Sequence, residues 1–194
     1  MPKSRLEAFT DGVMAIIITI MVLELKVPHG EGLETLLEVW PIFLSYALSF
    51  LYVGIYWNNH HHMLHATRDI SAKILWANLH LLFWLSLLPF STGWMGENHF
   101  ARWPVALLGI NLLLAAIAYT ILLYSIINHH GHDSKLAEAI GGDTKGKISL
   151  ALYVASILLA LLVNNWLGFV TLFLPALIWL IPDRRLEKAM PGRG

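Results

Sequence analysis

Apolar residues fill this chain in long runs, separated by short clusters of charge, glycine and proline. A helix needs about 20 apolar residues to cross the hydrocarbon core of a bilayer, within a range of roughly 17–25. Six stretches meet that length: about 8–25, 40–64, 72–95, 104–128, 148–165 and 167–182. The last two are joined by a very short turn around Asn164, Asn165 and Gly168, so they are antiparallel neighbours. Pro41 and Pro104 fall in the first turns of the second and fourth helices, where a missing N–H costs nothing. Pro89 and Pro175 lie inside or near the ends of spans and predict kinks. Ser4 followed by Glu7 is an S-x-x-E capping box, which starts the first helix ahead of the membrane. The expected fold is all-α, a polytopic membrane protein with six transmembrane helices forming one domain over residues 1–194.

Composition agrees with this pattern. Of 194 residues 57% are hydrophobic and only 13% are charged, with a mean hydropathy of +0.61. A soluble domain carries nearly twice that share of charge, about 25%. The formal net charge is zero, which argues against a nucleic-acid partner, because phosphate binding needs a clustered basic excess. The chain has no cysteine, which excludes disulfides, thiolate metal sites and cysteine nucleophiles. The opening MPKSRLEAFTDG is followed by an apolar run without a small-residue cleavage site, so it reads as a retained span.

Charge also orients the helices. Lys3, Arg5, Arg68, Lys73, Lys135, Lys145, Lys147, Arg184, Arg185, Lys188 and Arg193 all fall on one side of a six-span topology, and Lys26 and Arg102 on the other, an eleven-to-two split. That asymmetry places both termini in the cytoplasm; an odd number of spans would destroy it. The protein is therefore expected in the cell membrane as a multi-pass protein, with lipid around it. The two halves share no charged or aromatic landmarks, which weakens an inverted-repeat transporter. No phosphate-binding glycine loop, G-x-S-x-G elbow, H-E-x-x-H or T-V-G-Y-G filter is present.

The first helix carries an aspartate, Asp11, within its first membrane turns, and an ionisable residue there is a functional candidate by default. It is solvated at headgroup depth, or part of an ion path, or anchored among polar groups of neighbouring helices. We favour the anchor, because the second and third helices offer Trp57, Asn58, Asn59, His60, His61, Asn78 and His80 as partners.

Arg5-x-x-x-Phe9-Thr10-Asp11, followed by Gly12-Val13-Met14-Ala15-Ile16, Thr19 and Leu23-Glu24-Leu25, resembles the R-x-x-x-F-S-D signature of the transmembrane protein 175 family. Trp57-x-x-His60, Trp76-Ala77-Asn78-Leu79 and Leu87-Leu88-Pro89-Phe90 are similar to that family's second and third helices. Thr10 stands where serine is usual and keeps the hydroxyl; the C-terminal half matches in length and hydropathy alone. The resemblance implies a potassium channel subunit, one six-helix repeat per chain, assembled as a homotetramer. It also implies a central pore lined by the first helix, with a constriction of large aliphatic side chains in place of a carbonyl filter.

Helical spacing sorts the first helix by face. Ile16, Ile20 and Leu23 lie on one stripe with Thr19 at its edge. Asp11 is five residues from Ile16, roughly 140° around the helix, and points elsewhere. Given the resemblance, Ile16, Ile20 and Leu23 are the expected pore constriction and Thr19 a candidate to coordinate the ion. Arg5, Phe9, Thr10 and Asp11 are expected to hold the helix against its own subunit, with Trp57, His60, His61 and Asn78 as polar partners. Arg5 has other options: pairing with Asp11 or with a neighbouring carboxylate, or snorkelling to phosphates. Glu24, Glu31, Glu34 and Glu38 would give the extracellular end an acidic mouth.

The run His60-His61-His62-Met63-Leu64-His65 places His61 and His65 at i, i+4, a spacing at which two imidazoles share a Zn²⁺. No glutamate lies between them and no third ligand is evident, so polar packing is the expectation, with pH sensing open. His129, His130 and His132 read as solvated loop residues. We expect no metal, no cofactor beyond the permeant potassium, and no catalytic residue: the protein is a potassium-permeable cation channel, not an enzyme. Two alternatives stay in view. One is a proton-coupled membrane transporter, and the other a membrane-embedded metal-dependent enzyme built on the histidine cluster.

Overall fold

The computed structural model describes residues 2–65, 67, 69–131 and 143–180. It is built of helices throughout, with no strand among the described residues. In chain order they are α1 (Lys3–Leu23), α2 (Leu33–Glu38), α3 (Trp40–His65), α4 (Ala72–Ser86), α5 (Leu88–Glu97), α6 (Arg102–His130), α7 (Thr144–Leu162) and α8 (Asn165–Leu180). Five helical segments are long and apolar enough to cross a membrane: α1, α3, α4 with α5 taken together, α6 and α7. The shorter α8 has 16 residues, about 24 Å at 1.5 Å per residue. The end of the expected sixth span, residues 181 and 182, lies outside the described residues, as do Arg68, His132, Lys135 and the basic C-terminal tail.

The core sits between α3, α4, α5 and α6, where Leu48, Val53, Leu81, Leu85, Leu108 and Leu112 are buried. On one side of it α7 and α8 pack against each other and against α6; on the other, α1 rests on α3, α4 and α5. The short turn between α7 and α8 has a clear local cause. Asn164 Oδ1 accepts from the backbone N–H groups of Trp166 (2.8 Å) and Leu167 (3.3 Å), capping α8. Gly168 then lets the two helices touch, since a Cβ there would meet the Cα of Ala160 at 2.8 Å. Ser156 Oγ donates to the Gly168 carbonyl at 2.8 Å in the gap that results.

Three expectations about the elements need correction. The span expected at 72–95 is two helices joined at Leu87, because Pro89 at the start of α5 has no N–H for the preceding turn. The capping box is not formed: α1 already begins at Lys3, so Ser4 sits inside the helix, and Glu7 lies 3.7 Å from Lys3 Nζ instead. The acidic loop after α1 contains the short helix α2, whose Leu33, Leu36 and Leu37 are exposed.

Candidate functional site

α1 has two faces of different chemistry. Leu6, Thr10, Met14, Ile17 and Met21, spaced by three and four, are buried against the rest of the subunit. The other face is exposed: Ile16 is 58% accessible, Ile20 42%, Leu23 79% and Phe9 52%. Arg5, Gly12 and Thr19 lie on the same exposed side. The aliphatic stripe expected from spacing is therefore unpacked within one subunit. Thr19 Oγ1 donates to the Ile16 carbonyl at 2.9 Å, which occupies its hydrogen and leaves the oxygen lone pairs turned outward.

The buried side is tied at one end by polar contacts. Asn78 Nδ2 of α4 donates to Thr10 Oγ1 at 2.9 Å, and Asn78 Oδ1 is 2.7 Å from His60 Nε2 of α3. With the amide so placed, His60 carries its hydrogen on Nε2. Thr10, Asn78 and His60 are all buried, so this chain of groups joins three helices out of water, where an unmade bond is costly. Asp11 lies off the exposed stripe and accepts from Trp57 Nε1 at 3.0 Å. Lys3 Nζ donates to the His65 carbonyl at 3.2 Å, a cation on the C-terminal end of α3.

Of the four motif residues, the structure brings Thr10 and Asp11 to their neighbours and leaves Arg5 and Phe9 exposed. Lys3 pairs with Glu7 and Lys26 with Glu97, and among the described residues Arg5 is not paired with Asp11. Among the expected partners, Trp57, His60 and Asn78 take part. His61 is exposed and stacks between Trp57 and His65, with ring centroids 6.2 and 6.1 Å apart. No three His, Asp or Glu side chains converge as a metal site among the described residues. His130, expected to be solvated, is engaged: its Nδ1 lies 3.0 Å from the Ile126 carbonyl and its Nε2 accepts from the Asp69 N–H at 3.3 Å. Sequence reasoning missed Lys3 as a tie. The available signal was that Lys3 and the end of the second helix fall on the same side of the membrane.

Beside the exposed stripe runs an open groove of about 520 Å³, lined among others by Ile16, Ile20, Glu24, Pro89, Phe90 and Trp94. At its end Lys26 pairs with Glu97 at 3.0 Å, and that carboxylate raises the lysine pKa above its usual 10.5.

These features define an all-helical, multi-pass membrane protein whose first helix is tied at one end and bare along an apolar face. Comparison with known proteins makes the assignment specific. The family model described as endosomal/lysosomal potassium channel TMEM175 matches residues 5–89, from the first turn of α1 to the start of α5. A protein of Chryseobacterium sp. (strain P1-3), named as a potassium channel, is 55% identical over 190 residues, 98% of each chain. The crystal structure of a lysosomal potassium-selective channel TMEM175 homolog from Chamaesiphon minutus superposes with a TM-score of 0.81 at 27% identity, covering 93% of this chain and 97% of that one. A Gallus gallus protein named endosomal/lysosomal proton channel TMEM175 is 41% identical over 71 residues, 30% of this chain and 14% of that much longer protein. The chain belongs to the TMEM175 family.

Proposed function

We propose that this chain is the subunit of a potassium-permeable cation channel, and that copies of it, four by the family resemblance, surround a pore lined by α1. The observation that carries the reading is the exposed stripe of Ile16, Ile20 and Leu23. Such a face is either lipid-facing or shared between subunits, and the Chryseobacterium and Chamaesiphon relatives, both named as potassium channels, favour the second.

In that assembly the aliphatic side chains form stacked apolar rings. Narrow rings exclude water and so block ions; a modest widening re-wets them. Thr19 supports conduction chemically, since its outward lone pairs replace part of an ion's hydration shell. Asp11 does not belong to the ion path: its carboxylate is engaged by Trp57 away from the stripe. Its role is to fix the angle at which α1 presents Ile16. The name of the Gallus gallus relative favours protons as a second permeant ion.

The test is potassium flux into liposomes containing the purified chain, for wild type, Ile16→Ala and Ile16→Asn. Both substitutions widen or wet the ring, so resting flux rises and discrimination between potassium and sodium falls. Wild-type protein that carries no cation flux under any gradient overturns the channel reading; unchanged flux in both variants removes Ile16 from the pore. The same vesicles with a pH-sensitive dye inside read the proton flux.

A further inference from the structure

We propose that the Lys26–Glu97 ion pair is a salt-sensitive latch. It holds the far end of α1 to α5 and so restrains the stripe of Ile16, Ile20 and Leu23. Its effect on flux rests on the channel reading; its hold on α1 does not.

One side of the latch is a fixed post. Glu97 is the last residue of α5, and α5 is fastened to helices on both flanks. The hydroxyls of Thr92 and of Ser49 in α3 are hydrogen-bonded, and Ser91 Oγ accepts from Asn111 Nδ2 of α6 at 3.0 Å. All four side chains are buried, where such bonds are costly to break. Beside Glu97, a Cβ on Gly96 would meet the Ile42 Cα at 2.8 Å, so α5 rests directly on the α3 backbone.

The other side is a short, stiff extension of α1. The Glu24 N–H donates to the Ile20 carbonyl at 3.3 Å and the Leu25 N–H to the Val22 carbonyl at 3.1 Å. Hydrogen-bonded turns thus run on past Leu23, and Lys26 is the next residue. Little slack separates the lysine from the stripe. Between α1 and α5 lies the open groove, with Ile16, Ile20 and Glu24 on one wall and Pro89, Phe90 and Trp94 on the other. The groove gives α1 room to tilt. Lys26 Nζ donates to Glu97 Oε1 at 3.0 Å, the one polar link from this end of α1 to α5 among the described residues.

The latch is adjustable because it is wet. The two side chains are 74% and 49% exposed, so dissolved salt screens them: the Debye length falls from about 30 Å at 0.01 M to about 3 Å at 1 M. An exposed pair biases an equilibrium by only about two- to fivefold, enough to grade a motion and too little to lock it. The Asn78–Thr10 bond at the opposite end of α1 is buried, beyond the reach of salt. One fastening is therefore permanent and the other is not. Once the latch opens, the far end of α1 wanders, and rings that are narrow at rest wet more often.

Hydrogen–deuterium exchange of the full chain in nanodiscs, read by mass spectrometry, tests the latch without reference to ion flux. Lys26→Gln and Glu97→Gln should each speed exchange of the amides of residues 20–25 by about two- to fivefold, with α4 unchanged. The double variant should be no faster than either single one, because both remove the same interaction. Raising salt from about 0.01 M to about 1 M should speed wild type and leave the variants alone. In liposomes at low salt the same variants should raise resting potassium flux by about two- to fivefold. Unchanged exchange in both single variants, additive effects in the double variant, or unchanged flux where wild type conducts overturns the proposal. Exchange that responds as expected, in a wild type that carries no flux, supports the latch and overturns the channel reading.

Discussion

Asn78 and Thr10, 68 positions apart in sequence, meet across 2.9 Å with the amide of one donating to the hydroxyl of the other. Both are buried, so truncating either strands a polar partner in an apolar setting. Asn78→Leu is expected to lower stability by about 1–3 kcal/mol, and Thr10→Val by a similar amount. Thr10→Ser keeps the hydroxyl and costs less than either. Thermal unfolding of the detergent-purified protein, followed by size-exclusion chromatography, ranks the three. A double-mutant cycle should return a coupling of about 0.6–1.7 kcal/mol, the range found between membrane helices.

Asp11 and Trp57 form the second tie. Asp11→Asn keeps an acceptor oxygen for the indole N–H, whereas Asp11→Ala removes it. The alanine variant should assemble less well on native gels, and Trp57→Phe should reproduce its defect. Asn at position 11 should stay close to wild type. Equal loss in the asparagine and alanine variants would mean that the negative charge, not the indole hydrogen bond, is what matters.

The two faces of α1 predict opposite phenotypes. Met14 is buried and Ile16 exposed within the same turn. Met14→Ala should cost about 2–5 kcal/mol through the cavity it leaves, read as a lowered unfolding temperature. Ile16→Ala should leave the subunit's own stability nearly unchanged and act on flux. A stability loss at Ile16 as large as that at Met14 would place Ile16 in the subunit core.

Gly168 allows no side chain, because its neighbour is backbone and not a flexible tip. Gly168→Val must push α8 away from α7 and break the Ser156 bond to its carbonyl. Loss of expression or of the folded-protein peak in size-exclusion chromatography is expected. Gly12→Ala is the control, since a Cβ there meets nothing within 4 Å in the subunit.

The helices were legible because each needs a long apolar run, and the run is visible without tertiary information. Ends and breaks were harder: α4 and α5 read as one span because Pro89 signals a kink but not its size. α2 escaped notice because six residues carry no period. Thr10 and Asp11 were found through their polarity inside an apolar stretch. Phe9, beside the motif, is exposed within the subunit, one turn from Gly12. His130 is tied to the backbone N–H of Asp69 in the connection before α4, and Lys3 to the His65 carbonyl of α3, and no spacing rule reveals a backbone partner.

Among the described residues, every polar tie of α1 to its neighbours lies between Lys3 and Asp11. Beyond that point the buried side is Met14, Ile17 and Met21, and methionines are unbranched and adaptable. For any tilt of α1 these ties make Thr10 the fulcrum. Leu23 stands about 20 Å along the axis from that fulcrum and Ile16 about 9 Å. A tilt of about 10° sweeps Leu23 sideways by about 3 Å and Ile16 by about 1.5 Å, simple geometry on the same rise per residue. Such a tilt is thereby graded into larger displacements at Leu23 than at Ile16.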